Sequence, residues 1–286
     1  MTGPQPWSAL LAAAERRLRA AAVEEADTKL RWVAAHLLGC GLADVFRHAA
    51  EIPTPEHAAA FAAAVERLAT HEPVQYVIGE TDFMGLRIRC DRRALIPRPE
   101  TEVLTDHAED FLRELPAPRV VDVCTGSGCI ACALAKRVPH ARVWGTDISA
   151  DALDLARENA RALGAAVEFR QTDLLTGFAD DSMDMVIANP PYVSTADCAR
   201  LARTVRDFEP HLALDGGVDG LRLISRLVSE AARVLTSGGK LLLEIAEDQA
   251  VVVPELLCAQ TQLSLLSRKS DYAGNWRVVI AARNPR

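Results

Sequence analysis

The sequence predicts an α/β chain with a mostly parallel sheet covered by helices on both faces. A small all-helical domain and a β-hairpin linker precede it. Three observations carry this expectation. From Arg119 onward, short apolar runs rich in β-branched residues alternate with segments of helical periodicity, the pattern of βαβ units. Before Thr70 the chain is rich in alanine, with apolar residues at helical spacing, which favours packed helices. Between these regions, "QYVIGETDFMGLRIRCD" changes to a strand-like period around a turn. The expected boundaries are 1–73 for the helical domain, 74–93 for the hairpin linker and 94–286 for the α/β domain.

Taken in order, "SALLAAAERRLRAA" reads as a helix with Ser8 at its N-cap. "DTKLRWVAAHLLGCG" repeats the period and stops at Gly39 and Gly41. "TPEHAAAFAAAVERLATHEP" has Thr54 as cap, Pro55 in the first turn and Pro73 beyond the end. After the hairpin come the strand "RVVDVCTG", the helix "CIACALAKRV", the strand "ARVWGTD" and the helix "SADALDLARENARALG". The strands "VEFRQTD" and "MDMVIANPPY" follow, then a helix around "LRLISRLVSEAARVLTSGG", the strand "KLLLEIA" and a helix near "AVVVPELL". The closing strands "LSLLSRKS" and "RVVIAAR" are so closely spaced that an antiparallel pair is expected.

The formal net charge of −7 argues against a general polyanion binder, because nonspecific nucleic-acid affinity comes from phosphate neutralisation. Charge is nevertheless clustered. Arg87, Arg89, Arg92, Arg93 and Arg98 share a window with Asp91 alone, and Arg268, Lys269, Arg277, Arg283 and Arg286 share the C-terminal one with Asp271. Solvated faces are the simplest reading of both clusters. The seven cysteines are an odd number in apolar or small-residue surroundings, which suits a reducing compartment. With neither a signal-peptide pattern nor an apolar run of membrane-spanning length, the chain is expected in the cytoplasm. It is expected to be a monomer, without membrane or stable nucleic-acid partner.

Ligands of such sheets bind beyond the carboxyl ends of the strands. The first of these ends is "VVDVCTGSGCIACAL", where Gly126 and Gly128 let backbone approach a ligand and the next helix presents its positive end. Nineteen residues after Gly128, Asp147 ends the next strand, where an acid would grip ribose hydroxyls. Asp173 ends a third strand, placed for the exocyclic amine of an adenine. "GSGCIA" also satisfies the dinucleotide pattern, so a nicotinamide dehydrogenase is one reading. Two details favour S-adenosylmethionine. Asp122 precedes the loop, where it would meet a cationic amino-acid end, and Asp173 has no required place in the dinucleotide fingerprint.

The fourth strand runs into Asn189-Pro190-Pro191-Tyr192. An amide oxygen and a proline carbonyl side by side can each accept one N–H of a planar amide or amine. Held in that way, a delocalised nitrogen is oriented for attack on a methyl sulfonium. Pro190 offers its carbonyl without a competing N–H, Pro191 stiffens the turn, and Tyr192 offers a ring to lie against the planar group.

Several segments together resemble the HemK/PrmC family of N5-glutamine methyltransferases: "PVQYVIGETDFMGLRI", "LIPRPETEVL", "VVDVCTGSGCIACALA", "VIANPPYV", "FEPHLALDGGVDGL" and "GGKLLLEI". The resemblance spans nearly the whole chain. It is specific in pairing "PRPETE" with "NPPY", since "NPPY" alone is shared with adenine-N6 methyltransferases. It implies a substrate-docking helical domain, a hairpin linker and a seven-stranded Rossmann-like class I methyltransferase domain. It also implies S-adenosyl-L-methionine as cofactor and the Gly-Gly-Gln glutamine of class 1 peptide chain release factors as substrate. By the same resemblance, the loop Cys124, Thr125, Gly126, Ser127 and Gly128 binds cofactor with Asp147, and Leu174 lines its site. Arg98, Thr101 and Glu102 close over the cofactor, and Asn189 to Tyr192 cradle glutamine. Two departures stand out: Cys124 replaces the loop's first glycine, and Ala246 follows "LLLEI" where the family often has glycine. A side chain at Cys124 is strained if its φ is positive and would crowd the methionine end.

Other signals are weaker. Cys129 and Cys132 form a C-x-x-C without a second pair, so buried packing is the better reading than zinc. Asp106, His107, Glu109 and Asp110 read as a solvated helix face, and no metal is expected. Glu209 and His211 belong to a candidate substrate loop, with no base assigned to His211. The rival readings are a ribosomal-protein glutamine methyltransferase, an adenine-N6 methyltransferase and an idle cofactor-binding adaptor.

Overall fold

The computed structural model describes residues 5–285; Arg286 of the C-terminal basic cluster and the first four residues of the N-terminal segment lie outside them. The chain divides into two compact units. One holds the residues up to Glu80 together with Ala202–Phe208, and the other holds Thr81–Leu201 with the residues from Glu209 onward. No helix among the described residues is long and apolar enough to cross a membrane.

The first unit contains helices α1 (Trp7–Ala20), α2 (Ala26–Leu38), α3 (Pro55–Ala69) and α4 (Val74–Ile78). Its core gathers Trp7, Leu18, Leu30, Phe61 and Leu68, with the Trp7 and Phe61 rings edge to face at 5.3 Å. Thr54 caps α3 by accepting the His57 N–H. Helix α1 starts one residue before the expected cap: Pro6 is the N-cap and Ser8 lies in the first turn, because proline's fixed φ suits a helix start. The stretch "VQYVI" is helical, although a strand was expected. Arg67 donates to the carbonyls of Tyr76 and Val77, satisfying the last turn of α4, and Gly79 at φ 89° ends it.

The hairpin is β1 (Glu80–Phe83) and β2 (Leu86–Arg89). Its Met84-Gly85 turn has positive φ at both residues, as a two-residue hairpin turn needs. Helix α5 (Pro99–Arg113) leads to β3 (Arg119–Val123), α6 (Cys129–Arg137), β4 (Arg142–Asp147), α7 (Ala150–Leu163), β5 (Val167–Gln171) and β6 (Met183–Ala188). The short helices α8 (Thr195–Cys198) and α9 (Arg203–Arg206) precede α10 (Arg222–Val234), β7 (Leu235–Glu244), α11 (Val252–Ala259), β8 (Leu263–Ser270) and β9 (Trp276–Arg283). The sheet has seven strands in the order β5-β4-β3-β6-β7-β9-β8. Strands β3 to β7 pair parallel, and β9 runs antiparallel between β7 and β8.

Strand alternation divides the core. Val121 and Val123 pack on the side of α10 and α11, whereas Val120 packs with α5 and α6 on the other. "LTSGG", expected at the end of a helix, instead opens β7, with an irregular register between Met183 and Met185 and Gly238 at φ 79°. The order of strands reverses between β3, from which the sheet grows outward through β4 and β5, and its parallel neighbour β6, from which it grows the other way through β7. This is the switch point at which α/β sheets bind ligands.

Candidate active site

A cavity of about 310 Å³ opens at the carboxyl ends of β3, β4, β5 and β6, all within the second unit. Its first wall is the turn after β3. The Thr125 N–H donates to the Thr146 carbonyl at 2.9 Å and the Gly128 N–H to the Thr125 carbonyl at 2.8 Å, which closes the turn against β4. Asp147 ends β4 and faces the cavity. Its Oδ2 accepts the Gly126 N–H at 3.0 Å and its Oδ1 the Ser149 N–H at 2.9 Å. Burial raises its pKa, opposed by these backbone donors. Thr125, Gly126, Ser127, Asp173 and Leu174 also line the cavity, and the Asp173 carboxylate accepts from Arg226 at 2.8 Å.

Cys124 lines the cavity at φ 59°, and Leu174 lines it at φ 50°. Both occupy the left-handed region that disfavours side chains, and such strain gathers at functional sites. Burial and the nearby Asp147 and Asp122 push the Cys124 thiol pKa upward. Ala246, by contrast, has φ −70°, a conformation that needs no glycine.

Six expected positions lie outside this lining, among them Pro190 and Tyr192, which belong to the fourth wall. Gly128 does not line the cavity; a Cβ there would stand 2.9 Å from that of Ala156, so its bareness lets α7 pack close. Glu102 is also outside the lining and accepts the Met84 N–H at 2.8 Å, which ties α5 to the hairpin turn. Asp122 is fully buried, because alternation along β3 turns it toward α6. Its Oδ2 accepts from the Thr125 hydroxyl and the Ala131 N–H, while its Oδ1 has no partner among the described residues. Burial lifts its pKa to about 7. It organises the turn from beneath and lies outside the cavity lining. His211 is exposed and outside the lining.

Arg98 and Thr101 do reach the cavity. Arg98 donates to Glu209 Oε1 at 2.5 Å, and Glu209 Oε2 accepts the Ile96 N–H at 3.1 Å. Buried Glu209 thereby fastens the "IPRPE" strap to the "FEPH" loop.

At the fourth wall, Asn189 and Pro191 line the cavity, whereas Pro190 and Tyr192 do not. Ala188 of β6 pairs with Leu243 of β7, so Asn189 and Glu244 stand side by side. Asn189 Nδ2 donates to the Thr101 hydroxyl at 3.0 Å, and that hydroxyl donates to Glu244 Oε2 at 2.6 Å. The Tyr192 hydroxyl turns inward and donates to Glu244 Oε1 at 3.1 Å. Glu244 is 1% exposed. Burial raises its pKa to about 7 against the pull of these two donors, and burial beside Glu244 raises the Tyr192 phenol.

The sequence reading missed Glu244 and the backing of this tetrapeptide. Gln249 Nε2 donates to the carbonyls of Tyr192 and Gly220, and the Gly216 N–H donates to the Val193 carbonyl at 2.8 Å. One signal was available: Glu244, like Asp147, is an acid ending an apolar strand.

The remaining clusters are held in packing and ion pairs, although Cys129 and Arg93 also line the cavity. Cys129 and Cys132 are buried free thiols. Asp106 and Asp110 are exposed as expected, but Glu109 is buried, where it pairs with Arg113 and Arg137. Arg93 pairs with Asp91 and Glu158, so part of the arginine window fastens the segment after β2 to α7.

Residues 9–79 match the family described as PrmC N-terminal domain, and residues 101–218 match Methyltransferase small domain. The chain is 39% identical over 275 residues to the release factor glutamine methyltransferase of Deinococcus radiodurans, covering 96% of this chain and 97% of that one. It is 37% identical over 274 residues to the protein of that name from Bradyrhizobium diazoefficiens, covering 94% and 92%. With the Cereibacter sphaeroides protein of that name it shares 40% over 273 residues, covering 95% and 96%. Among solved structures, a methyltransferase from Pyrococcus furiosus aligns with TM-score 0.53 at 20% identity, over 71% of this chain and 91% of that one. That likeness shows a shared fold.

Proposed function

Because this chain belongs to the family of release factor glutamine methyltransferases, we infer that it transfers a methyl group from S-adenosyl-L-methionine to the side-chain amide nitrogen (N5) of a release-factor glutamine. The glutamine is that of the Gly-Gly-Gln motif in class 1 peptide chain release factors.

The observation that carries the chemistry is the orientation of Asn189. Its Nδ2 is occupied by Thr101, so the acceptor end of the amide is left for a substrate N–H. The Pro190 carbonyl supplies a second acceptor without a competing N–H. Two acceptors orient the glutamine nitrogen and favour its pyramidal form, and positioning of this kind is worth about 7–11 kcal/mol in favourable cases. Pro191 stiffens the turn, and Tyr192 anchors it through its hydroxyl bond to Glu244.

The cavity's own residues fit the cofactor. Asp147 keeps lone pairs beyond its two backbone donors for ribose hydroxyls. Asp173 suits an exocyclic amine, while Leu174 and Ile148 add apolar lining. Thr125 to Ser127, Cys124, Arg98 and Thr101 complete the enclosure. Bound S-adenosyl-L-methionine supplies a methyl group made electrophilic by its sulfonium, so no strong general base is required of the chain.

The same reading assigns the helical unit to release-factor docking. It has the enzyme act in the cytoplasm as a monomer, and the net charge of −7 supports the lack of a stable nucleic-acid partner. Incubation with labelled S-adenosyl-L-methionine and, separately, release factor, ribosomal protein or DNA tests it. Label on the Gly-Gly-Gln glutamine is expected; label on adenine or on a ribosomal protein alone, or none, overturns the reading.

A further inference from the structure

The buried carboxylate at the end of β7 goes beyond this assignment, although its consequence rests on the methyl-transfer reading. We infer that Glu244 is a positioning residue, setting through Thr101 which end of the Asn189 amide faces the cavity and holding Tyr192 at the other end of the same tetrapeptide.

The polarity of the chain of bonds leads to this assignment. Asn189 Nδ2 donates to Thr101, Thr101 donates to Glu244 Oε2, and Tyr192 donates to Glu244 Oε1. An ionised carboxylate only accepts. With both oxygens accepting, the single hydroxyl proton of Thr101 is committed to Glu244, and the lone pairs of Thr101 are left to receive an N–H. Only the Nδ2 end of Asn189 satisfies that demand, so Oδ1 becomes the end presented to a substrate. A donor at Glu244 reverses the logic. If it donates to Thr101, the threonine proton is released toward Asn189, the amide turns over, and a donor faces the cavity where an acceptor is needed. If it donates to Tyr192 instead, the tyrosine hydroxyl loses its acceptor and the tetrapeptide its second anchor.

Glu244 does not line the cavity and is 1% exposed, so it acts on Asn189 and Tyr192 without touching a ligand. The charged groups that bear on it are Glu100 from α5, which raises its pKa, and Arg277 from β9, which lowers it. Arg277 is itself paired with Asp271 at 3.1 Å. Burial outweighs them and moves the carboxyl to about 7, so the required ionised form is lost as pH falls through neutrality.

The test is steady-state methylation of release factor by wild type, Glu244→Gln, Thr101→Val and Thr101→Ser, with cofactor affinity measured in parallel. Glu244→Gln and Thr101→Val are expected to lower kcat by about 100-fold, the scale of a small misplacement at a reacting centre, with the Glu244→Gln cofactor dissociation constant unchanged. Thr101→Ser keeps the hydroxyl and should recover most of the turnover that Thr101→Val loses, as rescue by the conservative variant. Wild-type kcat should fall about tenfold per pH unit on the acid side of the Glu244 pKa, and Glu244→Gln should be flat over that range. A wild-type protein that methylates nothing overturns the proposed function. A competent wild type overturns this inference alone if Glu244→Gln keeps wild-type kcat, keeps the acid limb, or loses turnover only in step with cofactor binding. Should Glu244→Gln fail to fold, the threonine pair decides: wild-type turnover in Thr101→Val, or equal loss in Thr101→Ser, overturns it.

Discussion

The amide nitrogen of Asn189 lies 3.0 Å from the hydroxyl of Thr101, joining the end of β6 to the first turn of α5 across 88 positions of sequence. That bond leaves the amide oxygen as the group offered to a substrate. Asn189→Ala is therefore expected to keep cofactor affinity while kcat falls about 100-fold or more. Cofactor titration and single-turnover methylation measure the two separately. Weakened cofactor binding with normal turnover at saturation contradicts the role given to Asn189.

Cys124 holds φ 59° where L side chains are disfavoured. Replacing it with glycine removes a cost of about 1–2 kcal/mol and returns part of that as entropy of the unfolded chain. Cys124→Gly should raise unfolding free energy by about 0.5–1 kcal/mol in urea titration, with cofactor binding at least as tight. Cys124→Val should destabilise, since a β-branched side chain fits this region worst.

Asp122 and Glu244 both have pKa values raised by burial to about 7. A carboxyl whose pKa is higher folded than unfolded contributes stability that is complete below the unfolded value and is lost as pH rises through the folded one. Between about pH 5 and 7 each group should lower stability by about 1.4 kcal/mol per pH unit. Asp184 and Asp271 have lowered pKa values, so their opposing loss falls at still more acidic pH. Denaturant unfolding across this range should show stability declining with pH, and Asp122→Asn should make the decline shallower. A slope unchanged by that substitution rules out Asp122 as its source.

A Cβ on Gly220 would stand 2.2 Å from the Tyr192 carbonyl oxygen and 2.7 Å from Gln249 Nε2. Gly220→Ala should therefore displace the loop that carries Tyr192, lowering stability by about 3 kcal/mol and turnover with it. Gly177 also has positive φ, but a Cβ there meets nothing within 4 Å. Gly177→Ala should cost only about 1 kcal/mol and leave kcat intact. Thermal unfolding and turnover of the two variants separate crowding from backbone strain.

Much of the fold was legible because its signals are local. The Thr54 cap, the stop at Gly39 and the period of each strand depend on residues a few positions apart. The glycine turn, Asp147, Asp173 and Asn189 were legible for a related reason: each stands at or just past the carboxyl end of a strand, and parallel strands bring those ends to one edge. The misreadings involved distant partners. "VQYVI" is helical because Arg67 caps its carbonyls, and Glu109 is buried because Arg137 reaches it.

The sequence by itself determined most of the strands and helices, "VQYVI" and "LTSGG" apart, and brought Asp147, Asp173 and Asn189 to the ligand-binding edge, because periodicity and turn chemistry act along the chain. Only the tertiary structure decided that Glu244 stands beside Asn189, that Thr101 lies between them, and that Asp122 points away from the cavity. Those relations follow from strand order and from the register of Ala188 against Leu243. Many segments compete to become neighbours in a sheet, and packing of the whole core settles which of them do.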